Sequence, residues 1–162
     1  MAVVVSDTTP IHYLILIDRE SILESLYEKV IIPPSVIAEL QHPSAPEKVS
    51  AWAKNLPVWV KILSPRSVPE IYRNLDLGER QALALAKELC ADLVFLDDKV
   101  ARRAAVRDGL KVKGTLGIVA DAANANLLDF IKTIEELQRT TMHLDQELVA
   151  EVIRIYQNAK DK

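Results

Sequence analysis

A single cysteine, Cys90, stands among 162 residues. It excludes an internal disulfide and a multi-cysteine zinc site, and a reducing cytoplasm is the expected setting. The four glycines do not fall in the spacing G-x-x-x-x-G-K-[ST] or G-x-G-x-x-G, so phosphate-binding loops of those types are out. No apolar run approaches the roughly 18 residues of a spanning helix, and no membrane association is expected. The run Met1-Ala2-Val3-Val4-Val5 meets Ser6 and Asp7 too soon for a signal peptide. A basic excess is missing too: Lys and Arg total 20 against 23 Asp and Glu, a net charge of −3. Any nucleic acid must therefore meet a local patch rather than a global field. Hydrophobic residues at 49% and charged residues at 27% fit a globular protein. The length suits one domain over residues 1–162.

Short β-branched or apolar runs alternate with helical patterns along the chain. Residues 3–5, 30–32, 58–63, 93–96 and 110–113 read as strands, the third at an edge. Helices are expected between them, one beginning with Thr9 as N-cap and Pro10 as its first residue. Residues 66–77 read as irregular, 78–90 as a strong helix, and 99–108 as a helix closed by Gly109. Three more helices fit 115–125, 129–139 and 145–158. This alternation predicts an α/β fold with a mainly parallel sheet covered on both faces. In the last helix Leu148, Val149, Val152, Ile153 and Tyr156 form an apolar stripe, which completes the core or makes an interface.

Ligands of open parallel sheets bind outside the carboxyl ends of the strands, and two apolar strands end in acids. The first runs into Asp7, the fourth into Asp97 and Asp98. Glu79 falls on the buried stripe of its helix, where a carboxylate must be paired, capped or metal-bound. A capping box with Asp76 as N-cap explains it as well. Glu39 falls at the edge of an apolar helix face. Carboxylates converging at ~4 Å repel by roughly 4 kcal/mol per pair at an effective dielectric near 20. A hard divalent cation would offset that; His12, His42 and His143 are too scattered to favour zinc.

The segments Val5-Ser6-Asp7-Thr8-Thr9-Pro10, Ile31-Ile32-Pro33-Pro34-Ser35-Val36-Ile37-Ala38-Glu39-Leu40, Leu77-Gly78-Glu79-Arg80-Gln81-Ala82-Leu83, Leu96-Asp97-Asp98-Lys99 and Gly114-Thr115-Leu116-Gly117 together resemble the PIN-domain nucleases. The likeness is close to a PIN-like family of small prokaryotic, toxin-like (VapC-type) proteins. The resemblance implies a three-layer α/β/α fold with a parallel sheet of about five strands. It implies Mg²⁺- or Mn²⁺-dependent cleavage of RNA, with Asp7, Glu39 and Glu79 as the first three acids. The fourth matches the Asp97-Asp98 pair, Asp98 by spacing. Asp7 and Asp98, or Asp97, would be the metal ligands, and Glu39 and Glu79 would hold water and accept a proton. Thr9 matches the hydroxyl residue two positions after the first acid. A homodimer and a small antitoxin protein are implied partners.

A polyanionic substrate beside acids needs a basic rim. Lys99, Arg102, Arg103 and Arg107 share one broad helix face directly after Asp97-Asp98, while Ala101, Ala104 and Ala105 face the sheet. A solvated face explains them as well. Arg80 would touch substrate or neutralise the acids. Backbone N–H groups at Gly114–Gly117 could hold a phosphate, although close packing also accounts for glycines there. Two rival readings are a phosphohydrolase of the haloacid-dehalogenase type and a non-catalytic module on the same scaffold. The first wants an acid where Thr9 stands. The second has no need of mutually repelling carboxylates.

Overall fold

The computed structural model describes residues 2–160; Met1, the start of the N-terminal apolar run, lies outside them. Two compact units divide the chain, Met1–Thr115 and Leu116–Lys162. The first holds a sheet of five parallel strands in the order β3-β2-β1-β4-β5. These are β1 (Val4–Ser6), β2 (Val30–Ile32), β3 (Val60–Ile62), β4 (Leu93–Phe95) and β5 (Val112–Lys113). Its helices are α1 (Thr8–Leu16), α2 (Ile22–Tyr27), α3 (Pro34–Leu40), α4 (Glu47–Lys54), α5 (Leu77–Glu88) and α6 (Lys99–Arg107), with a 3₁₀ turn over Glu70–Tyr72. Val5 pairs with Ile31 on one side and Val94 on the other, so β1 is central.

Successive side chains of a strand point to opposite faces, and both faces are covered. On one, Val5 and Val94 join a buried cluster with Leu83 and Ala86 of α5 and Ala101 and Ala105 of α6. On the other, the Phe95 ring meets Tyr27 of α2 edge-on, centroids 5.1 Å apart. This is the three-layer α/β/α arrangement. Ala101, Ala104 and Ala105 are buried as the pattern requires, while Lys99, Arg102, Arg103 and Arg107 are exposed. β2 and β3 build outward to one side of β1, and β4 and β5 to the other. The order thus reverses between β1 and β4, which opens a crevice at their carboxyl ends.

Two boundaries differ from expectation. Helix α1 starts at Thr8, with Asp7 rather than Thr9 in the extended N-cap conformation. Pro10 becomes the third helical residue, which costs nothing because first-turn N–H groups have no intrahelical acceptor. The edge strand shrinks from 58–63 to Val60–Ile62, and Val58 is exposed.

The irregular segment between β3 and α5 is held by side chains. Glu88 Oε1 accepts the N–H groups of Arg66 (2.8 Å) and Ser67 (3.3 Å). The buried Tyr72 donates its hydroxyl to Asp108, and Arg80 Nε donates to the Leu75 carbonyl at 2.7 Å. In the second unit, α7 (Thr115–Asn124) continues from Thr115 into α8 (Phe130–Gln138) and α9 (Gln146–Lys160). Asp129 caps α8 through the N–H of Lys132 at 2.8 Å, and Phe130 packs on Tyr156 with centroids 4.5 Å apart. Of the α9 stripe, Val149 is buried and Val152, Ile153 and Tyr156 are half-buried. Leu148 is exposed, since consecutive helical residues point about 100° apart. No helix among the described residues is long and apolar enough to cross a membrane.

Helices α5 and α6 end in the same way with different residues. At α6, Gly109 (φ 80) donates to Val106, and Leu110 donates to the Ala105 carbonyl at 2.9 Å. At α5, Cys90 (φ 49) donates to Lys87, and Ala91 donates to Ala86 at 2.9 Å. Glycine takes this left-handed position without penalty, whereas a Cβ there is crowded by the following carbonyl. Gly109→Ala should lower the free energy of unfolding by about 1 kcal/mol, and Cys90→Gly should raise it by up to about 1 kcal/mol. Urea denaturation of the two variants checks both signs; equal midpoints would remove the strain assigned to Cys90.

Candidate functional site

Asp7 leaves β1 at the point where the strand order reverses. Its N–H still pairs with the Phe95 carbonyl at 3.1 Å, so the sheet fixes the backbone from which the carboxyl projects. It is 5% exposed. Burial pushes its pKa up to about 8; the Thr8 backbone N–H pulls the other way, and Asp76, Glu79 and Glu39 add repulsion. Glu79 is also buried, and its pKa rises to about 7. Burial is again the main cause, the Asp76 N–H eases it, and Asp76, Asp98 and Glu39 raise it further.

The cap and the buried acid are one arrangement. Glu79 Oε1 accepts the Asp76 N–H at 3.1 Å, and Asp76 Oδ1 accepts the Glu79 N–H at 2.8 Å. The capping box therefore plants two carboxylates at the start of α5, beside Asp7. Glu39 reaches the same place from α3. A Cβ on Gly78 would lie 2.8 Å from Glu39 Oε1 and 3.0 Å from Asp7 Oδ1. Both oxygens crowd the space left by the missing side chain. Burial raises the Glu39 pKa, the Thr8 hydroxyl lowers it, and Asp76 raises it. The Thr8 hydroxyl is itself buried and has no well-formed hydrogen bond.

The two aspartates after β4 separate. Asp98 is the N-cap of α6, its Oδ2 accepting the Ala101 N–H at 3.0 Å, and its charge is felt at Glu79. Asp97 turns toward β5. Its Oδ1 accepts the Thr115 N–H at 2.8 Å and its Oδ2 accepts the Thr115 hydroxyl at 2.6 Å. Burial raises the Asp97 pKa, while Thr115 and the Arg102 guanidinium lower it. A Cβ on Gly114 would lie 2.7 Å from Arg102 Nη1 and 2.8 Å from Asp97 Oδ1. A phosphate therefore has no place at Gly114-Thr115: a carboxylate already takes the N–H, and the glycine is there for close packing.

The structure thus gathers Asp7, Glu39, Glu79 and Asp98, adds Asp76, and commits Asp97 to Thr115. Asp76 was missed as a member of the group, although the capping box carried the signal. The hydroxyl beside Glu39 belongs to Thr8, while Thr9 is half-buried one residue further along α1. Arg80 is held on the Leu75 carbonyl. Lys99 and Arg103 stand exposed on α6, and Arg102 lies beside Asp97.

The donors fit a hard cation. All are oxygens, two carry strongly raised pKa values, one buried hydroxyl has no well-formed hydrogen bond, and Gly78 lets the Glu39 and Asp7 oxygens approach. Among the described residues no three acidic, histidine or cysteine side chains already stand at metal-ligating spacing. Sharing a cation would draw the carboxylates together.

These shifts predict a pH dependence of stability. A carboxyl whose folded pKa lies above its unfolded value near 3.8 favours the folded state most when protonated. Its contribution is full below about pH 4 and is lost as pH rises toward about 8. In chelator, the melting temperature should fall between pH 5 and pH 8, and Asp7→Asn should flatten that fall. Parallel pH profiles for the two proteins would contradict the burial assigned to Asp7.

No curated protein matches the chain. A family model described as a PIN domain matches residues 3–158, which takes in every strand of the sheet and all the acids gathered at its switch point. The chain belongs to the PIN-domain family.

Proposed function

We propose that this protein is a nuclease, and more narrowly a divalent-metal-dependent endoribonuclease that hydrolyses RNA phosphodiester bonds. One observation supports the reading: Asp7, Glu39 and Glu79 lie within electrostatic reach of one another at the switch point of the sheet and Asp98 within reach of Glu79, with the Asp7 carboxyl pushed up to about 8. Such a cluster is costly to keep unless a cation uses it. Asp7 and Asp98 would hold Mg²⁺ or Mn²⁺, with Glu39 and Glu79 around it. When bound, the ion makes water a nucleophile near neutral pH and offsets charge on the leaving oxygen.

The remaining roles fall to the chain. Glu79, buried and held by the capping box beside the other acids, would accept a proton. The capping box fixes its direction. Thr8 orients Glu39. Asp97 does not ligate; through Thr115 it sets the turn between β4 and α6 and so aims Asp98. Lys99, next to Asp98, and Arg103, exposed on the same helix, would meet substrate phosphates. Arg80 orders the approach to α5. The reading extends to a cytoplasmic toxin that acts as a homodimer and is restrained by a small antitoxin protein. Growth arrest on expression, relieved by co-expressing a neighbouring small gene, tests that extension.

Cleavage of labelled RNA should require Mn²⁺ or Mg²⁺ and stop in chelator. Glu79→Gln keeps a group able to close the capping box but removes the charge. Its cleavage rate should fall on the order of 100-fold while stability changes by at most about 1 kcal/mol. Undiminished cleavage would leave Glu79 as a cap only.

The two adjacent aspartates should also part in measurement. Asp98→Asn retains a good N-cap, so its melting temperature should stay within a few degrees while cleavage is lost. Asp97→Ala breaks two hydrogen bonds to Thr115 and should cost about 1–3 kcal/mol of stability. The reverse pattern, a fragile Asp98→Asn and an inactive but stable Asp97→Ala, would exchange the two roles.

A further inference from the structure

A groove of about 280 Å³ lies between the irregular segment and α6. Leu75 and Ala104 form its apolar floor, with Ile71 and Val100 at the edges. The edge residues are 61% and 55% exposed, unusual for large aliphatic side chains standing together. Arg103 and Arg107 border the same space, and neither has an ion-pair partner among the described residues. Asn74 supplies an amide able both to donate and to accept. Apolar floor, polar amide and two exposed guanidinium groups are the complements of a nucleobase, its edge and its phosphates.

Position selects the occupant. One wall of the groove ends at Leu75, and the next residue is Asp76 of the capping box. The other wall is α6, which begins at Asp98. A chain whose phosphate lies at the acids thus reaches the groove within a short step along either wall. The walls do not need to be brought together, because Tyr72 of one donates to Asp108 at the end of the other. The apolar floor requires an unstacked base, which single strands present and duplexes withhold.

We propose that this groove seats a nucleotide flanking the scissile phosphate of single-stranded RNA, its base on Ile71 and Val100 and its phosphates at Arg103 and Arg107. The proposal rests on the nuclease reading above. Binding of a labelled ten-nucleotide single-stranded RNA to the full chain is measured in chelator, where no cleavage intervenes, over a series of salt concentrations. Cleavage of the same RNA with Mn²⁺ is measured in parallel. The double variant Ile71→Ser with Val100→Ser should bind about 5-fold more weakly with its salt slope unchanged. Arg103→Ala with Arg107→Ala should flatten the slope by about 1.4, roughly 0.7 for each phosphate contact. All four residues are exposed, and melting curves confirm that the variants fold. Wild-type affinity and slope in both variants, with cleavage intact in the native chain, would overturn the groove and leave the nuclease reading standing. A native chain that neither binds nor cleaves the RNA would overturn both. Poly-glutamate binding as tightly as the RNA, and lost in the same variants, would instead make this a docking site for an acidic peptide and overturn the proposal.

Discussion

Asp7 sits at the end of a strand that has neighbours on both sides, with its N–H still in the ladder to β4. A negative charge in that place has little water to turn to, and this burial shapes what surrounds it. Gly78 withholds a side chain where Asp7 and Glu39 need room. Asp76 and Glu79 spend backbone N–H groups on each other's carboxylates. Asp98 uses the N-terminus of α6 in the same way. Helix N-termini carry partial positive charge and free N–H donors, so acids at the starts of α5 and α6 are tolerated where isolated ones would not be. Several carboxylates in one crevice are possible because helices begin there.

A cap and a buried member of the acid cluster are therefore not alternatives in this fold. Weighed from the sequence, Glu79 as a cap and Glu79 as a site acid compete; in the structure the capped carboxylate also lies among the other acids, so the cap does not exclude a role there. The reciprocal bonds fix the side chain and moderate its charge, while burial and the nearby acids still leave its pKa near 7. The adjacent aspartates follow a different division. Asp97 has both oxygens satisfied by Thr115, whereas Asp98 bonds a single N–H and remains exposed. Their difference lies in direction, set by the alternation of side chains at the end of β4, rather than in chemistry.

The alternation of short apolar runs with helical patterns was enough to read the parallel sheet, because buried β-branched strands and alanine-lined helices leave a strong pattern. The basic outer face of α6 and its alanine inner face were legible for the same reason. What escaped was tertiary. The commitment of Asp97 to Thr115 joins residues 18 apart in sequence, and no local period records it. Asp76 read as a cap, and its membership of the acid group depends on where α5 begins relative to β1. Thr9 and Pro10 suggested a later helix start, since Pro at the third position is as permissible as at the first and the local rule does not choose between them.

The segment from residue 66 to residue 76 contains only one turn of 3₁₀ helix, yet it is fastened at its beginning by Glu88, in its middle by Asp108 and near its end by Arg80. Freedom that a loop of this length would ordinarily surrender to a ligand has already been surrendered to the fold. Association with this wall then forgoes the ordering cost that weakens binding by flexible segments. Any such association would carry a small entropic penalty.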